Sequence, residues 1–229
     1  AFKVLLYRYT GQNDLCVGSP IANRQYGETE GVIGMFVNTL ALRSRVEGGE
    51  TFSAFLSQIR ETCFEAHENQ DAPFEKVVDL LCPQRNLDIS PLFQMMFVLQ
   101  NADMGTLDAR FPRYPLESGI STFDLTAEFT ETREGLAGAL EYVTALYKPE
   151  SVERMATHFT ALCRAIASTP SARICDLDYL GEAERHQLLV DFNETRAGDP
   201  QDKCIHQLFS EQVALHPDRT AVVFGDEQL

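Results

Sequence analysis

Residues 91–100 restrict the fold more than any other segment of this 229-residue chain. Their sequence, PLFQMMFVLQ, is apolar at odd and even positions alike. A strand formed there would have to be covered on both faces, as central strands of α/β proteins are. Segments with helical periodicity lie on both sides of it in the sequence and can provide that cover. The sequence therefore predicts an α/β fold, an α+β sandwich whose mixed sheet packs against helices.

Four helices and a hairpin are predicted around this strand. Thr51 is a good N-cap for an amphipathic helix, and Pro73 suits the first turn of the helix that follows. Residues 123–132 and 134–143 alternate in hydrophobicity and predict a hairpin. The other predicted helices are 2–9, ended by Gly11, and 149–168. Residues 15–23 predict a strand entering a Gly-Ser-Pro turn, 35–46 a second strand, and 101–121 a long crossing loop.

Charge and cysteine content exclude several classes of function. The formal net charge of -15 argues against binding to nucleic acid, because the chain could not neutralise a row of phosphates. The six cysteines form no Cys-x-x-Cys pair and lie at no zinc-ligand spacing from histidine, so no metal site is expected. Free thiols indicate a reducing cytoplasm. The first eleven residues are too short and polar for a signal peptide or a membrane span.

The pattern of predicted elements changes after about Cys175. Residues 180–193 predict a short helix, 193–203 a polar linker, and 204–216 another amphipathic helix before the strand-like TAVVFGDEQL. The chain starts without methionine inside a predicted helix, and we expect it to be excised from a longer protein.

Three motifs follow one another through the chain. They read IGMFVNTLALR (33–43), HENQDAPFEKVVDLL (67–81) and RNLDISPLFQMMFVLQN (85–101). In this order and spacing they resemble the C-terminal half of a condensation domain from a nonribosomal peptide synthetase. Residues 177–195 resemble the linker that follows such a domain, and 204–229 resemble the opening of an adenylation domain. The resemblance implies a C-terminal subdomain at 1–178, a linker at 179–203 and a truncated adenylation start at 204–229.

The resemblance also implies a fold and a reaction. The fold is that of the chloramphenicol acetyltransferase superfamily, in which two α/β subdomains enclose a tunnel. Upstream and downstream carrier domains insert phosphopantetheine arms into this tunnel, and an amine on one attacks a thioester on the other to form an amide. The family's catalytic signature, two adjacent histidines followed by an aspartate-glycine pair, belongs to the N-terminal half. This chain has no adjacent histidines, so we expect no catalytic residue in it and no activity alone.

Four residues are candidates for the wall of the substrate tunnel. Asn38 could bond a substrate arm or tie down a strand end. Gln94 lies on an apolar strand, so its amide needs a partner, either the backbone of the crossing loop or the substrate. Ser121 and Glu141 lie near strand starts that should face the cleft in such a fold.

Six motif residues are given structural roles. Arg43 and Glu75 are expected to form a buried ion pair, His67 to stabilise a helix C-terminus, and Asp71 to cap the next helix. Arg85 and Pro91 match the third motif, in which Asp88 replaces the usual serine.

Other interpretations stay open from the sequence alone. The chain could be a non-catalytic module that docks carrier and adenylation domains, or half of a heterocyclisation or epimerisation relative of the same fold. In each case the expected partners are the N-terminal half of the domain, the carrier domains and the adjacent adenylation domain, with no nucleic acid or membrane. A lone half would expose its mating face, so self-association is expected.

Overall fold

The structure, a computed structural model, describes residues 1–82, 89–100, 119–133, 135–195 and 202–228. The chain divides into two compact units, Ala1–Leu180 and Gly181–Leu229. In unit 1 the strands are β1 (Asp14–Ile21), β2 (Asn38–Arg45), β3 (Met95–Gln100), β4 (Leu125–Thr132) and β5 (Gly135–Tyr142). Its helices are α1 (Phe2–Thr10), α2 (Gly27–Glu30), α3 (Phe52–Glu68), α4 (Phe74–Leu81) and α5 (Pro149–Ser168), followed by a 3₁₀ turn at Ile174–Asp176. Unit 2 contains the helices α6 (Glu182–Leu189) and α7 (Ile205–Leu215) and the strands β6 (Val223–Phe224) and β7 (Glu227–Gln228). It also has a 3₁₀ turn at Asp191–Asn193.

Unit 1 is built on a five-stranded mixed sheet of order β2-β1-β3-β4-β5. The β1–β3 and β3–β4 pairs are parallel, whereas β1–β2 and β4–β5 are antiparallel. The predicted α/β class and the central position of β3 are thus confirmed. The strand begins at Met95 and not at Pro91, because Leu92 adopts a left-handed conformation with φ 68 and turns the chain.

The main core lies on one face of this sheet, beneath α1, α3 and α5. Leu125 and Ala127 of β4 are fully buried there, and Phe55 and Leu162 cover them from the helices. The alternate residue Glu128 points to the opposite face and is exposed. The strand β4 therefore has one covered face and one open face.

Local signals fix the ends of these helices as the sequence predicts. The Thr51 side chain accepts a hydrogen bond from the Ala54 amide at 3.3 Å, which caps α3. Pro149 opens α5, and Gly11 ends α1 in the left-handed conformation that glycine adopts most readily.

One local prediction is wrong. Residues Gly18, Ser19 and Pro20 do not form a turn but continue β1 in register with β2, Pro20 lying opposite Thr39. Residues 24–31 contain the short helix α2. Of the expected crossing loop, residues 101–118 lie outside the described part of the chain.

A smaller aromatic cluster packs on the second face of the sheet, near β1. The ring of Phe93 lies 5.6 Å from that of Phe74 in α4 and 5.5 Å from that of Phe123. Phe93 is only 1% exposed, and it crosses the strand at Gly18, where a Cβ atom would lie 2.1 Å from the ring. Only glycine leaves room for this crossing.

The last segment of unit 1 is held by the first helix. The Arg8 guanidinium donates hydrogen bonds to the carbonyl oxygens of Ile174, Cys175 and Leu177 at 2.9–3.1 Å. The same group stacks 4.8 Å from the centre of the Tyr179 ring. This contact fixes the path of the chain where unit 1 ends.

Lys3 makes the stability of the fold depend on pH. Its Nζ donates to the Leu42 carbonyl and the Ser44 hydroxyl at 2.7 and 2.6 Å, and burial lowers the pKa of Lys3 from 10.5 to about 8. Between these two values the unfolded chain holds one more proton than the folded chain, so the free energy of unfolding rises with pH. Below about pH 8 both states hold the proton, so Lys3 no longer makes the free energy of unfolding change with pH.

We expect Lys3→Met to flatten the rise of unfolding free energy between pH 8 and 10.5. Denaturant titrations at several pH values would measure it, with Lys148→Met, at an exposed lysine, as the control that keeps the wild-type slope. Equal slopes in all three proteins would show that Lys3 keeps an ordinary pKa.

Candidate functional site

The candidate site is the uncovered face of the sheet across β3, β4 and β5. We call it the open sheet face and define it by Val98, Glu128, Thr130, Ala139 and Glu141. Register places Val98, Glu128 and Ala139 side by side on the three strands, and Thr126 opposite Glu141. Glu128, Ala139 and Glu141 are exposed.

The charged side chains of this face are both acidic. Glu128 and Glu141 lie on neighbouring strands in a diagonal relation, at roughly 7–8 Å between Cα atoms by standard sheet geometry. Carboxylates accept hydrogen bonds and attract cations such as a protonated amine. The five residues that define the face include no histidine, cysteine or lysine. The face can therefore hold or orient an amine through its two carboxylates.

The four predicted tunnel residues do not gather at one place. Gln94 and Ser121 precede the parallel strands β3 and β4, and Glu141 pairs with Thr126 near the start of β4. These three share one end of the sheet. Asn38 pairs with Ile21 at the last residue of β1, and β1 runs parallel to β3. Asn38 therefore lies at the opposite end.

The side chain of Asn38 forms hydrogen bonds with the backbone of the protein itself. Its amide nitrogen donates to the carbonyls of Gln70 and Ala72 at 2.8 and 2.9 Å, and its oxygen accepts from the Phe74 amide at 3.1 Å. Both donor hydrogens and one of the two lone pairs of the oxygen are thereby used. Of the two roles predicted for Asn38, these contacts support the structural one, in which it ties β2 to the α3–α4 turn.

Gln94 and Ser121 also bond locally. The Gln94 amide nitrogen donates to the Ser90 carbonyl at 2.8 Å, and the Ser121 hydroxyl donates to the Phe123 carbonyl at 2.7 Å. The Asp124 amide donates to the Gln94 backbone carbonyl at 3.0 Å, which joins the two segments. Glu141 is the candidate whose side chain is exposed on the open sheet face.

The predicted ion pair between Arg43 and Glu75 is wrong. Arg43 instead forms a two-pronged contact with Asp14, at 2.9 and 2.6 Å, and both side chains are exposed. β1 and β2 are neighbours whose register puts Asp14 within reach of Arg43. The hydrogen bond from Arg43 lowers the pKa of Asp14 and raises that of Arg43. Glu75 lies in the first turn of α4, where a negative charge is favourable.

The remaining motif residues have mixed outcomes. His67 lies in the last turn of α3, its Nδ1 2.9 Å from the Cys63 carbonyl oxygen. The predicted capping by Asp71 is wrong: Pro73 is the N-cap of α4, and the Asp71 carboxylate accepts a hydrogen bond from the Gln25 side-chain Nε2 at 2.8 Å. Pro91 accepts from the Phe93 amide at 2.9 Å. Arg85 and Asp88 lie outside the described residues.

Sequence reasoning missed Arg24. Its guanidinium donates to the carbonyls of Thr29, Val32 and Gly34 and stacks 4.2 Å from the Phe36 ring centre. The available signal was an arginine at the end of SPIANR, a few residues before a glycine-containing apolar run.

A groove of about 530 Å³ lies between β5 and α5, and Ala139 of the open sheet face is among its lining residues. Its walls are mainly apolar and include Phe129, Leu140 and Phe159. None of the four predicted tunnel residues lines it.

Over the described ranges, no three His, Cys, Asp or Glu side chains lie close enough together to hold a metal ion. Over the same ranges, no helix has the length and apolar content needed to cross a membrane.

Comparison with known proteins identifies the family. A model of the condensation domain matches residues 1–189. The chain is 41% identical over 232 residues to gramicidin S synthase 2 of Brevibacillus brevis, covering 100% of this chain and 5% of that protein. It is 42% identical over 232 residues to bacitracin synthase 3 of Bacillus licheniformis, covering 100% of this chain and 4% of that protein. The chain thus spans only a small part of these relatives.

Solved structures agree on the fold. The X-domain from teicoplanin biosynthesis matches with a TM-score of 0.70 and 28% identity, over 77% of this chain and 42% of that one. A four-domain nonribosomal peptide synthetase bound to AMP and glycine matches with a TM-score of 0.79 and 23% identity, over 96% and 18%. The sheet described above is therefore that of condensation domains. The chain belongs to the condensation domain family of nonribosomal peptide synthetases.

Proposed function

We propose that this chain is the C-terminal part of a condensation domain that forms an amide bond. The donor is an acyl or peptidyl thioester on one carrier domain, and the acceptor is an aminoacyl thioester on another. The single observation that carries the proposal is the condensation-domain match over residues 1–189. The open sheet face supports it, because its carboxylates suit an approaching amine.

The chemistry requires positioning more than covalent catalysis. A thioester is already activated and a neutral amine is a competent nucleophile, so holding the two reacting atoms in line lowers the barrier substantially. A base that accepts the amine proton adds about 10²-fold or more. The chain has no adjacent histidines. We infer that this base comes from the N-terminal half of the domain and that the chain alone is inactive.

The domain limits are part of the proposal. Residues 1–178 form the C-terminal subdomain, 179–203 the linker, and 204–229 the beginning of an adenylation domain. The division of the chain near Leu180 supports the first limit. Apolar side chains exposed in unit 2, including Ile205, Phe209 and Phe224, support a partner domain for the last segment.

Carrier domains are the proposed partners at the tunnel. Their phosphopantetheine arms deliver both substrates, and this chain holds no covalent cofactor of its own in the proposal. We place the reaction in a reducing cytoplasm, which the six free cysteine thiols support. Docking of carrier and adenylation domains without chemistry is the second candidate, favoured by the exposed apolar residues of unit 2.

An amide-bond assay tests the function. We expect no product from this chain with loaded donor and acceptor carriers, and product when the N-terminal half of the domain is added. Product from the chain alone would contradict the assignment of the base to the other half. Carrier binding without product in the mixture would favour the docking function.

The reconstituted assay also tests Glu141. We expect Glu141→Gln to lower the rate of amide formation by about tenfold, because the charge-assisted hydrogen bond that orients the acceptor amine is weakened. Glu131→Gln is the control: this exposed glutamate is on the same hairpin, two residues beyond Phe129 and hence on the opposite face. An unchanged rate in Glu141→Gln, with unchanged folding, would remove Glu141 from the site.

A further inference from the structure

Lys3 and Cys63 line one small cavity between α1, α3 and the sheet. The cavity has a volume of about 200 Å³, and its other walls are mainly apolar and include Val17, Phe55 and Phe97. Lys3 and Cys63 are both half-buried. A lysine amine and a cysteine thiol both act as nucleophiles in proteins. Neither of these two side chains has a part in the function proposed above.

The amine of Lys3 is present in its neutral form near neutral pH. Burial lowers the pKa of Lys3 to about 8, so about half of the molecules carry a neutral amine at pH 8. An ordinary lysine is only roughly 0.4% neutral at that pH. Two hydrogens of the Lys3 ammonium are donated to the Leu42 carbonyl and the Ser44 hydroxyl. Loss of the third proton leaves both contacts intact and gives the nitrogen a lone pair.

Cys63 also reaches the outer surface of α3. It lines a shallow depression of about 390 Å³ together with Arg60, Phe64 and His67. The Nδ1 atom of His67 lies 2.9 Å from the Cys63 carbonyl oxygen. A carbonyl oxygen only accepts hydrogen bonds, so Nδ1 carries the hydrogen and Nε2 of the neutral ring is an acceptor. The thiol therefore shares its depression with a base.

Cys16 of β1 is the competing thiol. A negative charge on either Cys16 or Cys63 raises the pKa of Lys3, so both lie near its amine. Cys16, however, lines a different depression, together with Asp14 and Gln94. Burial raises the pKa of the Cys16 thiol, which reduces the fraction of reactive thiolate. Cys63 is therefore the thiol that connects the outer depression with the amine of Lys3.

We propose that Cys63 and Lys3 form a self-acylation site for a short acyl thioester, acetyl-CoA. The Cys63 Sγ attacks the thioester carbonyl while His67 accepts the thiol proton. The carbon–sulfur bond of the donor breaks, and the departing thiolate takes up that proton. The Lys3 amine then attacks the acyl carbon on Cys63, and the amide forms as the bond to Sγ breaks. The proton lost from nitrogen returns to Sγ, so the products are acetylated Lys3 and coenzyme A.

The donor class follows from the two spaces that Cys63 connects. A cavity of about 200 Å³ admits a short acyl group. Arg60 supplies a cation at the outer depression, which suits the phosphates of coenzyme A. Transfer from Cys63 to Lys3 is intramolecular and gains from proximity. Acetylation removes the charge of Lys3 and leaves one N–H for its two acceptors, so it weakens the link between α1 and β2.

Incubation of the full chain with acetyl-CoA at pH 8 tests the site, with acetylated lysines located by peptide mass spectrometry. We expect Lys3 to react about tenfold faster than the exposed Lys148. Cys63→Ser should lower the rate at Lys3 by about tenfold and leave the rate at Lys148 unchanged. Cys16→Ser changes another half-buried cysteine and is the matched control, which should keep the wild-type rate.

Lys3→Arg separates the two steps. Arginine keeps a charged donor at this position, but its guanidinium stays protonated and does not attack a thioester. We expect an acetyl thioester to accumulate on Cys63 in this variant and to be released by neutral hydroxylamine. Lys3→Met, which also lacks the amine, should behave in the same way. Circular dichroism of each variant checks that the fold is retained.

Arg60→Gln tests recognition of the donor. We expect a half-saturating concentration of acetyl-CoA raised about fivefold, and an unchanged rate with S-acetyl-N-acetylcysteamine, a thioester that has no phosphate. Equal effects on both donors would overturn the role of Arg60.

Three results would overturn the relay itself. They are a Lys3 that reacts no faster than Lys148, a folded Cys63→Ser protein that keeps the wild-type rate, and a loss of rate in Cys16→Ser. Accumulation of the Cys63 thioester in Lys3→Arg, together with slow acetylation of Lys3 in Cys63→Ser, would support it. None of these measurements depends on amide formation between carriers.

Discussion

Replacing Phe93 with alanine is expected to lower the free energy of unfolding by about 3 to 5 kcal/mol, the range for large aromatic side chains removed from a core. Phe93 is 1% exposed and joins Phe74 of α4 to Phe123 before β4. Its loss leaves a cavity on the second face of the sheet and loosens α4. Urea denaturation followed by circular dichroism would measure the change.

Gly18→Ala provides a partner variant for a double-mutant cycle. Its new methyl group would lie 2.1 Å from the Phe93 ring, so we expect a loss of about 1 to 3 kcal/mol. In the Phe93→Ala background the space is free and this loss should largely vanish. Gly49→Ala, where no atom lies within 4 Å of the new Cβ, is the control. Additive losses in the double variant would show that the ring does not cross Gly18.

Asn38→Ala is expected to lower the free energy of unfolding by about 2 to 4 kcal/mol, because three hydrogen bonds are lost and two carbonyls and one amide lose their partner. The α3–α4 turn should then exchange its amide hydrogens faster. Thermal or denaturant unfolding, combined with hydrogen exchange on residues 69–74, would measure both effects.

Asn69→Ala is the matched control for Asn38→Ala. Asn69 is exposed and donates one bond, to the Glu65 carbonyl at 2.8 Å, so its removal should cost less than about 1 kcal/mol. If Asn38→Ala left stability intact and reduced amide formation in the reconstituted assay, the substrate role of Asn38 would be restored.

Much of the fold could be predicted because its signals are local. Thr51 caps a helix through its own side chain, Pro149 suits a first turn, and the alternation in β4 records which residues face the helices. The hydrophobic periodicity of each helix or strand shows which of its faces is buried against the core. The order of the strands follows from pairings between distant segments, which no local pattern records.

The site was harder to predict because side-chain partners depend on register. Arg43 pairs with Asp14 and not Glu75 because β1 and β2 are neighbours in an antiparallel ladder. Asp71 accepts a hydrogen bond from the Gln25 side chain, and Pro73 is the N-cap of α4. The role of Asn38 is ambiguous in the sequence, since an asparagine at a strand start can bond a ligand or tie down the backbone. The three carbonyls held by Arg24 could not be foreseen from its neighbours alone.

The contacts of Arg8 have a consequence for synthesis on the ribosome. Its three carbonyl partners lie 166 to 169 residues later in the chain. The first helix therefore leaves the exit tunnel long before the segment that fixes it exists. Contacts between such distant segments form late and slow folding. During this interval the apolar side of α1, including Val4, which is fully buried in the folded chain, has an incomplete cover and is prone to aggregation.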